Sequence, residues 1–76
     1  MLDRITGMQL FARAMQAGSI SAAGRELGLS PGMASRHLDA LEKRLGVRLC
    51  HRSTRRLSLT EAGQHYLELC LRLLPE

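Results

Sequence analysis

Apolar residues recur at helical spacing from Ile5 through Met8, Phe11, Ala12 and Met15, and this run predicts a helix over residues 3 to about 17. Asp3 stands where an N-cap belongs and Gly18 where the helix should stop. Gly7 inside it costs roughly 1 kcal/mol relative to Ala, which packing must recover. The Met and Phe stripe reads as core rather than as a cofactor box. Past Ser19-Ile20, Ser21 is placed to cap a short helix from Ala22 to Leu27, closed by Gly28. Ala23 and Gly24 leave one side of that helix nearly bare, so that another helix can approach closely, and Leu27 is its apolar anchor. Only Gly28, Leu29 and Ser30 precede the next helix, which has both ends marked. Ser30 is its cap, Pro31 occupies N1, Lys43 and Arg44 complement the dipole of the last turn, and Gly46 sits at C′. Ala34, Leu38, Leu41 and Leu45 form a narrow apolar stripe along it, opposite Gly32, Ser35, Arg36, Asp39 and Lys43.

Beyond Gly46 the period changes. Val47 to Arg52 alternates weakly and Leu57-Ser58-Leu59 cleanly, around a polar Ser53-Thr54-Arg55-Arg56 turn. The pattern predicts a short β-hairpin with Arg55 and Arg56 at or near its tip. A hairpin this small is unstable alone, so Leu49, Leu57 and Leu59 must lean on the helices. Thr60 then caps a last helix with Glu61 in its first turn, running through Tyr66, Leu67, Leu69, Cys70, Leu71, Leu73 and Leu74 until Pro75. Its second half is apolar most of the way round, which predicts burial on more than one side, as in a homodimer made by this helix.

The elements predict a mainly α domain: a three-helix core, a small β-hairpin wing and a C-terminal linker helix. Two helices joined by a three-to-four-residue turn containing Gly form a helix-turn-helix. The helix beginning at Ser30 has a greasy back, a slim Ser-Gly-Ser-Arg front and a shape suited to a DNA major groove. Taken alone it equally fits an ordinary amphipathic helix with a solvated face, and the helix pair an αα-hairpin without a nucleic-acid role. An arginine-tipped hairpin beside it makes a wing able to reach backbone or an adjacent minor groove, or else a solvated charged turn.

Composition narrows the choice. Seventy-six residues make at most one domain, burying only about 60% of the surface the unfolded chain exposes. A hydrophobic fraction of 45% excludes a disordered tail, and one Phe, one Tyr and no Trp make the core aliphatic. The net charge is +4, and from Lys43 to Arg56 six basic residues (Lys43, Arg44, Arg48, Arg52, Arg55, Arg56) occur without an acid. Such a patch meets phosphates, though acidic proteins and membrane surfaces would accept it too. Cys50 and Cys70 lie in no CxxC pair, and there is no signal peptide or bilayer-length apolar run, so reduced thiols in a cytoplasmic protein are expected. An enzyme lacks its parts here: there is no Gly-rich phosphate loop, no plausible triad and too small a core for a pocket. Zinc is not expected either. His65 and Cys70 are off a common helix face, and the adjacent Cys50 and His51 point oppositely on a strand. No cofactor is expected. A winged helix used only for protein contacts remains the competing binding-module reading, separable by the salt dependence of DNA binding.

Gly18-Ser19-Ile20-Ser21-Ala22-Ala23-Gly24-Arg25-Glu26-Leu27-Gly28-Leu29-Ser30, followed by Ala34-Ser35-Arg36-His37-Leu38-Asp39-Ala40-Leu41-Glu42 and Leu45-Gly46-Val47-Arg48-Leu49, resembles the amino-terminal winged helix-turn-helix of LysR-type bacterial transcriptional regulators. Arg52-Ser53-Thr54-Arg55-Arg56-Leu57-Ser58-Leu59-Thr60-Glu61-Ala62-Gly63 is similar to that family's wing and the start of its linker helix. The resemblance covers essentially the whole chain. It implies a sequence-specific repressor or activator, with a small-molecule effector sensed only by a downstream domain absent from these residues. It also implies that the residues matching Pro31, Gly32, Ser35 and Arg36 lie against base edges and phosphates, and those matching Arg52 and Arg55 against backbone or minor groove. Three departures stand out. Pro31 replaces a common Gln and removes a bidentate base contact, Cys50 replaces a usual Phe and leaves less apolar volume under the wing, and Gly24 replaces a usual Ala and should loosen the short helix slightly.

The resulting expectation is a DNA-binding domain over residues 1–59 and a linker and dimerisation helix over residues 60–76. Two copies pair through Tyr66, Leu67, Cys70, Leu71 and Leu74, with higher oligomers open to the full-length parent. Each copy lays residues 30 to 40, including Pro31, Gly32, Met33, Ser35 and Arg36, in a major groove of a two-fold-related site. Ser21 and Ser30 hold phosphates, Arg36 and Ser35 read bases, Arg55 enters a flanking A·T-rich minor groove, and Arg52 and Arg56 meet the backbone.

Overall fold

The computed structural model describes residues 3–52 and 57–74. The elements follow in the order α1 (Arg4–Ala17), α2 (Ile20–Glu26), α3 (Pro31–Leu45), β1 (Cys50–Arg52), β2 (Leu57–Leu59) and α4 (Glu61–Leu73). Local chemistry sets the helix ends. Asp3 accepts a hydrogen bond from the Thr6 N–H at 2.9 Å, a bond that also holds its carboxyl below the usual range. Gly18 and Gly46 close α1 and α3 in the left-handed region at φ 74 and 76.

The cap of α2 differs from the sequence expectation. Ser19, not Ser21, is its N-cap, accepting the Ala22 N–H at 3.1 Å, and Ser21 lies exposed inside the first turn. The reason is the end of α1. Gly18 and Ser19 both donate to the Ala14 carbonyl, so the chain reverses two residues earlier than the Ser21 reading requires.

α1 packs against α2, α3 and α4 and is buried over more of its circumference than one stripe. Met8, Leu10, Phe11, Ala12 and Ala14 are all buried, whereas Ile5, at the first turn, is exposed. Ala34, Leu38 and Leu41 of α3 join this core; Leu45, at the end of its stripe, is exposed. Phe11 meets Tyr66 of α4 at a 5.9 Å ring-centroid distance and a 49° tilt.

Gly24 serves close approach. A Cβ there would stand 2.8 Å from Ala34 Cβ, so the glycine that was expected to loosen α2 is what lets α2 and α3 touch. Leu29 and Gly28 then donate to the Gly24 and Arg25 carbonyls, with Gly28 at φ 75, which closes α2 and turns the chain into α3.

β1 and β2 pair antiparallel, with Cys50 opposite Leu59, His51 opposite Ser58 and Arg52 opposite Leu57. Leu49 and Cys50 are both buried, and Leu57 and Leu59 pack on the same core. The alternation expected from Val47 onward therefore starts only at Cys50, since Leu49 sits before the strand and is pinned from both sides. Its carbonyl accepts the Thr60 N–H at 3.1 Å, and Gly63 of α4 is packed directly on it. Arg55 and Arg56, assigned to the wing tip, lie outside the described residues.

Candidate nucleic-acid interface

The site is built on α3. Ser30 is extended at φ −70, ψ 160 and its hydroxyl accepts the Met33 N–H at 3.2 Å, which starts the helix at Pro31. From there the helix divides cleanly. Ala34 and Leu38 have no exposed surface and Leu41 has 3%. Ser30, Pro31, Gly32, Ser35, Arg36, Asp39 and Lys43 are exposed, and Met33 is half-buried at the edge. The structure thus brings together on one face every α3 residue that sequence reasoning assigned to it. Gly32 leaves the first turn bare at its own position, where a Cβ would meet open space. Arg36 and Lys43 continue that face, and with Arg48 they border an open groove of about 710 Å³ between α3 and the segment leading to β1. Ser21 is exposed on α2, and Arg52 ends β1.

The back of α3 holds two residues the sequence reading did not place there. His37 is 4% exposed, and its Nδ1 has no hydrogen-bond partner among the described residues. Glu42 is buried too, and accepts the Leu49 N–H at 2.7 Å. The signal for Glu42 was readable. It stands four residues after Leu38 and three before Leu45, on the apolar stripe itself, and a carboxylate there needs a partner.

Of the residues assigned to pairing on α4, one is turned fully inward. Cys70 has no exposed surface, and Tyr66, Leu67 and Leu74 pack partly against the domain's own core. Gly63 and Cys70 are the buried residues of α4, so Cys70 is not free to meet another copy, whereas Tyr66, Leu67 and Leu74 stay half-buried. Leu71 is exposed as expected, and Leu69 and Leu73, omitted from the assignment, are exposed as well, at 43% and 63%. Burial pushes the Cys70 thiol up to about 11, so it stays protonated near neutral pH, and burial also raises the Tyr66 phenol.

Among the described residues no three His, Cys, Asp or Glu side chains come together as a metal site, and no helix is long and apolar enough to cross a membrane.

A three-helix core that holds its third helix outward, with a β-hairpin beside it, defines a winged helix-turn-helix domain of the nucleic-acid-binding kind. The family model described as "Bacterial regulatory helix-turn-helix protein, lysR family" matches residues 5–64. The chain belongs to that family, as its LysR-type helix-turn-helix DNA-binding domain. It is 43% identical over 75 residues to an HTH-type transcriptional repressor of Pseudomonas aeruginosa (strain UCBPP-PA14), covering 99% of this chain and 24% of that protein. It is 41% identical over 75 residues to the HTH-type transcriptional activator AaeR of Escherichia coli (strain K12), again covering 99% of this chain and 24% of the relative. The chain thus spans about a quarter of the length of these relatives. Among solved structures, the DNA-binding domain of CbnR in complex with DNA superposes with a TM-score of 0.86 at 35% identity, over 93% of this chain and 82% of that one. The family and these relatives are transcriptional regulators, not enzymes.

Proposed function

We propose that this chain reads a two-fold-related operator on double-stranded DNA as a homodimer, inside the bacterial cytoplasm, as the DNA-binding part of a regulator whose effector is sensed elsewhere. In this reading residues 1–59 bind DNA and residues 60–76 link and pair the copies. The observation that carries it is the two-sidedness of α3: a fully buried Ala34 and Leu38 back, and an exposed front of small or hydrogen-bonding side chains. A face free of bulk enters a major groove about 12 Å wide. Pro31, Gly32 and Met33 set its approach, Ser35 and Arg36 meet base edges, and Ser21 and Ser30 meet phosphates. Arg52, Arg55 and Arg56 add backbone and minor-groove contacts.

A titration at two salt concentrations tests this reading against a winged helix used for protein contacts. Steep salt dependence, with a selected duplex preferred over random DNA, is expected; weak, salt-insensitive binding contradicts it. In the same assay Arg56→Ala is expected to weaken all duplexes alike and to flatten the log–log salt slope by about 0.9 for each phosphate it ceases to neutralise. An unchanged slope would remove Arg56 from the backbone.

Pairing is assigned to the exposed side of α4. Leu69 and Ala62 border an apolar groove with Leu45, Val47 and Leu49, and Leu73 and Leu71 extend the exposed apolar surface at 63% and 56%. Monomeric proteins rarely leave such surface in water. Sedimentation over a concentration series is expected to show dimer at micromolar concentration and monomer for the Leu69→Glu, Leu73→Glu double variant. Monomer alone for the native chain well above micromolar contradicts the pairing.

A further inference from the structure

Glu42 is an acid on the apolar side of α3, its side chain only 8% exposed, while its neighbours Lys43 and Arg44 face solvent. A carboxylate is kept in such a place only when its oxygens are paired. Here Oε2 accepts the backbone N–H of Leu49 at 2.7 Å and lies 3.4 Å from that of Cys50. The other oxygen stands 3.5 Å from the guanidinium of Arg48, itself 71% exposed. These three partners belong to the segment that enters β1. From the opposite side Thr60, the cap of α4, donates its hydroxyl to the Arg48 carbonyl at 2.6 Å and its N–H to the Leu49 carbonyl at 3.1 Å. Residues 48–50 are thus held between the groove-facing helix and the last helix.

That placement matters because two strands of three residues cannot fix their own orientation. We propose that Glu42 is a positioning residue that sets the hairpin at a fixed angle to α3, so that Arg36 and the hairpin arginines engage one duplex in register. The inference rests on the DNA-binding reading above and names what makes its two contact surfaces act together. A carboxylate suits the task better than an amide. Charge-assisted bonds to N–H donors are the stronger kind, and Gln would turn an NH₂ group toward Arg48 or toward one of the two amides.

The test is a double-mutant cycle on a duplex selected from a random pool by the wild-type chain. Glu42→Gln is combined with Arg56→Ala and, separately, with Arg36→Ala, at a temperature where circular dichroism shows every variant folded. If Glu42 acts through the hairpin, the loss caused by Arg56→Ala shrinks by about threefold or more in the Glu42→Gln background, while the loss caused by Arg36→Ala stays the same. Equal losses in both backgrounds, or equal shrinkage at both arginines, overturn the inference. Glu42→Asp, which keeps the charge but withdraws it by one methylene, is expected to behave as Glu42→Gln does. Wild-type hydrogen exchange decides even if neither variant folds. The Leu49 N–H should exchange as slowly as the core amides of α3, and exchange as fast as an exposed loop amide overturns the clamp. A wild-type chain that selects no duplex removes the DNA reading itself, whereas one that selects a duplex without the coupling removes only this role for Glu42.

Discussion

Gly63→Ala is expected to lower the melting temperature of this chain by roughly 12–24 °C, corresponding to about 3 kcal/mol in a domain of this size. Helix propensity alone argues the other way, since Ala in a helix interior is worth roughly 1 kcal/mol over Gly. The clash decides the sign. A Cβ at Gly63 would land on the carbonyl oxygen of Leu49, a backbone atom that cannot swing aside as a side chain can. Moving that carbonyl breaks its bond to the Thr60 N–H and disturbs the bond from the Leu49 N–H to Glu42. Gly7 supplies the control. A Cβ there meets the His37 carbonyl and Leu41 Cβ at 3.5 Å, an ordinary contact, so Gly7→Ala should leave stability unchanged or raise it by up to about 1 kcal/mol. Thermal melts of the two variants side by side give the comparison. Equal melting temperatures would mean that α4 does not rest on the segment before β1 as described.

Arg36→Ala is expected to weaken binding to a selected duplex by about 1–3 kcal/mol while leaving random DNA nearly unaffected, with preference relaxed at a single base pair. Arg36 stands one turn into α3 on the exposed face, beside Ser35 and clear of the buried Ala34 and Leu38. It can therefore extend from the helix without rearranging the core, and its planar guanidinium matches the paired acceptors of a guanine edge. Competition assays on both duplexes give the answer. Equal losses on selected and random DNA would make Arg36 a phosphate contact and remove its reading role.

Much of this arrangement was legible in the sequence because it rests on strong local signals. Ser30, Pro31 and Gly46 mark α3 with a cap, a first-turn proline and a left-handed stop, and the helix runs between them. The polar face was legible for the same reason, since one clear stripe implies one clear opposite side. Helices packed from several directions were less legible. Leu10 and Ala14 lie off the stripe read for α1, and they are buried because α2, α3 and α4 cover α1 from different sides. Cys70 looked available for pairing because α4 is apolar nearly all round, and only the docking of Gly63 on Leu49 reveals which arc turns inward. The Ser19 and Ser21 caps compete within two residues, and the end of the preceding helix settles which one is used. Gly24 reads as a weakness until Ala34 is found against it.

In the proposed reading, α3 presents its Ser30-to-Lys43 face to a duplex. Amide chemical shifts recorded while a selected duplex is added to the native chain test that directly. The largest changes are expected at Gly32, Met33, Ser35, Arg36 and Asp39, with the buried positions of α1 nearly silent. Changes confined to α4, with the front of α3 unmoved at saturating DNA, would contradict it.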